Sequence, residues 1–188
     1  LTKMNKSLAS LSRQCGTLLQ QQHCRVTTAE SCTGGWIAQA ITAVEGSSEW
    51  FDVGFVTYSN AAKRSVLQVP LEFLEGSAAP GAVSRETVIA MAQGALKLAS
   101  AQFAVATSGI AGPGGGSTDK PVGTVCLAWA SRLPGETDIQ TTAQVQHFMG
   151  DRAAVRRQSV QVALEGLLKL LQEPRLNQQS SYGTENTG

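Results

Sequence analysis

Thr27-Thr28-Ala29-Glu30-Ser31-Cys32-Thr33-Gly34-Gly35-Trp36-Ile37-Ala38-Gln39-Ala40 is a short β-type run that breaks at a serine and a cysteine, crosses two glycines and enters a helical pattern. A strand-to-helix turn of this kind brings small side chains and the free N–H groups of a helix start to one spot. A hydroxyl at that spot, Ser31, is either a nucleophile with an oxyanion site beside it or an ordinary helix cap. The same strand-then-helix order recurs on both sides of this stretch and sets the fold class.

Upstream, Leu8, Leu11, Cys15, Leu18 and Leu19 recur at helical spacing and predict a first helix ending near Gln22, ahead of a strand at 25–29. Downstream, the helix is expected over 34–44, a turn at 46–48, a second strand over 53–58 and a short helix from Asn60 to Leu67 halted by Pro70. Residues 71–81, with Gly76, Pro80 and Gly81, read as a mobile loop. Ser84 is a candidate cap for a helix whose buried face is Val88, Met91, Ala95 and Leu98. A third strand is expected over 103–107 and a fourth over 124–130, joined by a glycine loop, 109–116.

From 139 to 148, Ile139, Thr141, Ala143 and Val145 alternate with glutamines and a threonine, the pattern of a half-exposed antiparallel strand. Asp151 can cap the last helix, with Val160, Leu164, Leu167, Leu168 and Leu171 facing inward. These elements predict an α/β fold: a three-layer α/β/α sandwich on a mixed, mostly parallel sheet of about five strands with a C-terminal antiparallel hairpin. One domain is expected over 1–171, followed by a polar tail, 172–188, whose composition predicts disorder. Ligands of such sheets bind beyond the carboxyl ends of the parallel strands, where the loops 30–35, 58–63 and 107–116 should meet.

The bulk numbers exclude more than they assign. The chain of 188 residues is 42% hydrophobic and 15% charged, with a net charge of +1. No basic stripe interleaved with aromatics suggests nucleic acid, and Arg152, Arg156 and Arg157 read as a solvated helix face. No apolar run reaches membrane-spanning length and no signal peptide is visible. Cys15, Cys24, Cys32 and Cys126 form no C-x-x-C pair and no zinc spacing, so buried free thiols in a reducing cytoplasm are expected. No His or acidic cluster suggests a metal, and no cofactor motif is present: the glycine loop lacks both the Gly-Lys-Ser/Thr of a P-loop and the following helix of a dinucleotide site. It reads as a close-approach loop or a long turn, with Ser108, Gly109, Gly112 and Gly114 as candidate pocket residues.

A serine nucleophile needs a base, and His23 and His147 fall off the expected pocket rim. Lys63, one turn into the helix after Tyr58, can replace histidine if burial depresses its pKa, alone or through the tyrosine hydroxyl; by itself it is a solvated helix lysine. Cys32 is a rival nucleophile or a small buried filler.

Three ordered motifs, Ala29-Glu30-Ser31-Cys32-Thr33-Gly34-Gly35, Gly54-Phe55-Val56-Thr57-Tyr58-Ser59-Asn60-Ala61-Ala62-Lys63 and Ser108-Gly109-Ile110-Ala111-Gly112-Pro113-Gly114-Gly115-Gly116, resemble those of the CinA C-terminal domain family. Lys120-Pro121-Val122-Gly123-Thr124-Val125 and Gly150-Asp151-Arg152 extend the resemblance, which runs from about Leu8 to Leu171. The family's stand-alone bacterial members deamidate nicotinamide mononucleotide to nicotinate mononucleotide and ammonia, a step of pyridine-nucleotide recycling. The resemblance therefore implies a serine amidohydrolase with Ser31 as nucleophile and Tyr58 and Lys63 as its activating residues. A small nucleotide is the implied partner, contacted by Thr33, Gly34, Gly35, Asn60 and the glycine-loop candidates above. Neither a metal nor the ADP-ribose pyrophosphatase activity of the family's longer members is expected.

The backbone N–H groups of 32–34 or the 108–109 turn are candidate oxyanion donors. A helix start, the glycine loop or Arg152 is a candidate for the phosphate. Pro80 stands where the family often has a histidine, which touches substrate contacts from that loop alone. A non-catalytic nucleotide- or partner-binding module, an amidase for another carboxamide, and a homo-oligomer all stay open at this point.

Overall fold

The computed structural model describes residues 7–173. Its elements, in order, are α1 (Leu8–Gln21), β1 (Val26–Glu30), α2 (Trp36–Thr42), β2 (Phe51–Val56), α3 (Asn60–Leu67), α4 (Leu71–Leu74), α5 (Arg85–Leu98), β3 (Phe103–Gly109), β4 (Thr124–Ser131), β5 (Gln140–His147) and α6 (Arg152–Gln172). The five strands form one sheet in the order β2-β1-β3-β4-β5. β1 pairs parallel with both β2 and β3, whereas β3–β4 and β4–β5 are antiparallel, so only β4 runs against the rest. This is the mixed sheet with a terminal hairpin that the element order implies.

Packing on the two faces follows from residue size along the strands. In β3 and β4 the large side chains Phe103, Val105, Val125, Leu127 and Trp129 share one face with α1, α2 and α6. Ala104, Ala106, Cys126, Ala128 and Ala130 line the other face, against Val88, Met91, Ala92 and Ala95 of α5. A strand buried on both faces loses the polar alternation of an exposed one, which is why these segments read as continuous apolar runs. The small residues let α5 approach closely. At Gly94 the approach to α3 is closer still, since a Cβ there would lie 2.1 Å from the Leu67 carbonyl oxygen.

Several boundaries differ from the sequence expectation. α2 begins at Trp36 because Gly34 and Gly35 have φ of +63° and +93°, outside helical space. β2 starts and ends two residues earlier than expected, and Leu71–Leu74 forms one helical turn inside the expected loop. Leu98 is not on the buried face: it is 51% exposed at the end of α5, and Leu96 is buried in its place. In β5, Val145 is 41% exposed while Gln144 and Gln146 are half-buried, since Trp129 of β4 and residues of α6 line one groove with them. Gln172 closes α6, and the expected tail beyond Glu173 lies outside the described residues. Among the described residues no helix is long and apolar enough to cross a membrane.

The topology places the site. From β1 the chain crosses to β2 through α2 on one face, then passes to the opposite side of β1 and reaches β3 through α5 on the other face. The connection leaving β1 runs towards β2 and the one leaving β3 towards β4, and neighbouring strands whose connections diverge open a crevice beyond their carboxyl ends. Ser31 follows β1 at that crevice.

Candidate active site

The register aligns the ends of β1 and β2 beside β3: Glu30 of β1 lies opposite Val56, the last residue of β2, and Thr107, two residues before the end of β3. The Ser31 N–H donates to the Thr107 carbonyl at 3.0 Å and the Thr57 N–H to the Glu30 carbonyl at 2.9 Å, so the ladder continues through the first residue beyond each strand. Ser59 caps α3 by accepting from the Ala62 N–H, and the first turn of that helix carries Lys63 inward. Lys63 is 1% exposed and Ser31 7%.

Lys63 Nζ makes three contacts: Ser31 Oγ at 2.9 Å, the Thr57 carbonyl at 3.0 Å and the Tyr58 carbonyl at 3.2 Å. The two carbonyls can only accept. A neutral amine has two N–H bonds and one lone pair, so satisfying both carbonyls turns the lone pair onto the Ser31 hydroxyl. Burial pushes the Lys63 pKa below its ordinary 10.5, and the nearby Cys32 opposes this less strongly. Among the described residues the one ion pair is Arg25 with Asp52, so no carboxylate holds the lysine charged.

Ser31 is not a helix cap. The free N–H groups at the start of α2 belong to Glu30: its carboxylate accepts from Gly35 at 3.1 Å, Ile37 at 3.0 Å and Ala38 at 2.9 Å. The capping reading of the serine, and the reading of this helix start as an anion site for substrate, are both corrected by the same fact: an internal anion already sits there. Glu30 is a residue of this candidate site that sequence reasoning missed. Its acceptor range, five to eight residues downstream, lies outside the usual capping spacing, and the paired glycines were the one signal of the detour.

The structure distributes the remaining expected site residues unevenly. Thr33 is fully buried and its Oγ1 bonds the Thr107 Oγ1 at 2.8 Å, a link between the turn after β1 and β3 rather than an open donor. Gly34 and Gly35 supply the left-handed turn. Asn60 opens α3 half-buried. Ser108 is buried within β3, and Gly109 is required by packing, because a Cβ would lie 2.9 Å from the Thr124 carbonyl oxygen. Gly112 has φ of +84° and Gly114 faces open space.

Tyr58 takes part through its carbonyl. Its ring is 59% exposed, and its hydroxyl accepts from Arg152 Nη2 at 2.9 Å rather than bonding Ser31 or Lys63. Arg152 Nη1 donates to the Gly112 carbonyl at 2.9 Å, joining the glycine loop to the tyrosine. Arg156 donates to the carbonyls of Cys32 and Thr33. Arg156 is therefore half-buried against the turn rather than on a solvated face, whereas Arg152, though bonded, stays exposed, as does Arg157. The four-residue spacing of Arg152 and Arg156 at a helix start was the available signal.

His147 lies at the same end of the sheet as Ser31, where it bonds Thr124, but three strands from β1, about 14 Å at normal strand spacing. It is out of reach as a base. All four cysteines are free and buried, and burial pushes the Cys32 thiol up to about 12. The hydrogen bond of Lys63 Nζ goes to Ser31 Oγ, not to this thiol, so the base is placed for the serine.

The family model of the CinA C-terminal domain matches residues 8–171. A nicotinamide-nucleotide amidohydrolase PncC of Pseudomonas putida is 54% identical over 165 residues, covering 87% of this chain and 96% of that protein. The protein of the same name from Escherichia coli K12 is 52% identical over 164 residues, covering 87% of this chain and 94% of that protein. Among solved structures, the competence/damage inducible protein CihA from Agrobacterium tumefaciens superposes with a TM-score of 0.80 at 43% identity, covering 92% of this chain and all of that one. On these matches, this chain belongs to the CinA C-terminal domain family.

Proposed function

We propose that the protein is a serine amidohydrolase that converts nicotinamide mononucleotide to nicotinate mononucleotide and ammonia, recycling pyridine nucleotide. The relatives named above carry that activity in their names at about half identity over nearly their whole length. The observation that carries the mechanism is the 2.9 Å contact of Lys63 Nζ with Ser31 Oγ, with two carbonyls on its remaining N–H bonds.

In this reading neutral Lys63 takes the Ser31 proton as Oγ attacks the carboxamide carbon. The tetrahedral intermediate collapses with C–N cleavage, and the Lys63 ammonium gives that proton to the departing nitrogen, which leaves as ammonia. Water, deprotonated by the again neutral lysine, then attacks the acyl carbon; the C–Oγ bond breaks, the Lys63 ammonium returns the proton to Ser31 Oγ, and the acid product leaves as its carboxylate. The oxyanion needs donors that the fold has not used. The Ser31, Gly34 and Gly35 N–H groups are taken, whereas those of Cys32 and Thr33 have no bond to another residue among the described ones. These two are the donors we assign, each worth roughly 3 kcal/mol to the transition state.

With α2 closed by Glu30, the substrate phosphate falls to Arg152, whose guanidinium is exposed and keeps N–H donors beyond its bonds to Gly112 and Tyr58. Four buried thiols suit a reducing compartment, the cytoplasm. Ammonia release from nicotinamide mononucleotide tests the reading. Ser31→Ala should lose about 10³-fold or more in kcat while keeping the wild-type melting temperature; wild-type turnover in that variant removes the nucleophile.

A further inference from the structure

Arg156 stands one turn beyond Arg152 on α6 and has no part in the steps above. Its Nε donates to the Cys32 carbonyl at 3.1 Å and its Nη2 to the Thr33 carbonyl at 2.9 Å, so one edge of the guanidinium grips two consecutive peptides. The same group lies over the Trp36 ring, 5.5 Å from its centroid. A Cβ at Gly34 would come within 3.2 Å of Nη2, so the glycine lets the arginine lie against the turn.

A trans peptide directs its N–H opposite its carbonyl. Holding the Cys32 carbonyl on Arg156 therefore turns the Thr33 N–H away from α6, and holding the Thr33 carbonyl turns the Gly34 N–H inward, where it closes the turn on the Ser31 carbonyl at 3.0 Å. We propose that Arg156 is a positioning residue for the reaction: its two-point grip fixes the Thr33 N–H as an oxyanion donor and, through the closed turn, holds Ser31 against Lys63. This rests on the serine-amidase reading. Glu30 binds the helix side of the same turn, so the segment that follows Ser31 is held between a carboxylate on the N–H groups of Gly35, Ile37 and Ala38 and a guanidinium on the carbonyls of Cys32 and Thr33. Lysine cannot replace the arginine, because a point charge does not span two acceptors in a fixed plane.

The test compares Arg156→Lys, Arg156→Ala and, as control, Arg157→Ala on the exposed side of α6. Both Arg156 variants should lose about 10²-fold in kcat, the cost of a small misplacement of reacting groups, with KM nearly unchanged and the control at wild-type rate. Guanidinium chloride at low millimolar concentration should restore part of the kcat of Arg156→Ala and none of that of Arg156→Lys. Labelling of Ser31 by a fluorophosphonate, which needs no nucleotide substrate, should slow in both.

A wild-type kcat in Arg156→Lys would reduce the role to charge alone and overturn the proposal. So would a loss confined to KM, or one that follows the unfolded fraction measured by circular dichroism. If Arg156→Ala does not fold, Arg156→Lys decides by its kcat and labelling rate. If the wild type releases no ammonia from nicotinamide mononucleotide, the substrate reading fails by itself, and equal fluorophosphonate labelling of wild type and Arg156→Lys would independently overturn the positioning role.

Discussion

Two regions at the same end of the sheet are built on opposite principles. Around Ser31 and Lys63, three donor–acceptor contacts converge on one nitrogen, and the turn that carries the serine is bonded from both sides. A few residues away, Tyr58, Arg152 and Gly114 stand at the surface, where the arginine bonds the tyrosine hydroxyl and the Gly112 carbonyl and Gly114 faces open space. The first region has its geometry set before substrate arrives, as bond-making groups require. The second keeps unused donors and exposed side chains, as a surface that must admit and release a charged ligand requires. Substitutions in the first should fall on kcat and those in the second on KM.

The largest break in that contrast should come from Lys63→Met. Removing the base should cost about 10³-fold in kcat, read as ammonia release. Wild-type kcat/KM should rise with pH as the lysine loses its proton below its ordinary 10.5, and the variant should lack that limb. Stability carries the same signature. The lysine binds a proton less readily in the folded state than in the unfolded chain. Between the folded and unfolded pKa values the unfolded state therefore holds more protons, and stability rises with pH. Urea unfolding across that window should show wild type gaining on Lys63→Met as pH approaches 10.5; a constant difference would mean that the lysine is not depressed.

Next in size, Arg152→Ala should raise KM about 10- to 100-fold, the worth of a charge-assisted hydrogen bond, and leave kcat nearly intact. A kcat loss without a KM change would move Arg152 into the rigid region. Glu30→Gln sharpens the other side. It places an amide N–H₂ among three backbone donors and should lower unfolding free energy by about 2 kcal/mol, visible as a lower urea midpoint. The smallest effect belongs to Cys32→Ala: about 1 kcal/mol of stability and little change in kcat. Native Cys32, with its thiol at about 12, should resist iodoacetamide at neutral pH; rapid alkylation would reopen the thiol as nucleophile.

Much of the fold was legible along the chain. The size alternation in 103–106 and 125–130 marks the two faces of the sheet, and Asp151 and Ser84 cap the helices they were read to cap. Where the reading failed, a neighbour from elsewhere in the chain was responsible. Val145 sits on the face of an antiparallel strand that local alternation calls buried, yet α6 covers the other face. Leu98 fits the helical period, but α5 runs out of sheet to pack against at its last residue.

In the site the same division holds. Sequence alone determined the segments that carry the proposed chemistry: a serine after a strand, a lysine one turn into a helix and a glycine loop, because strand and helix periods and turn residues are local properties. Tertiary structure decided what each residue does. Glu30 rather than Ser31 closes the start of α2, the Tyr58 carbonyl rather than its hydroxyl meets Lys63, and Arg156 reaches back 124 positions to Cys32. Hydrogen-bond partners at that range depend on how layers stack and which strand ends align, and no spacing along the chain encodes them.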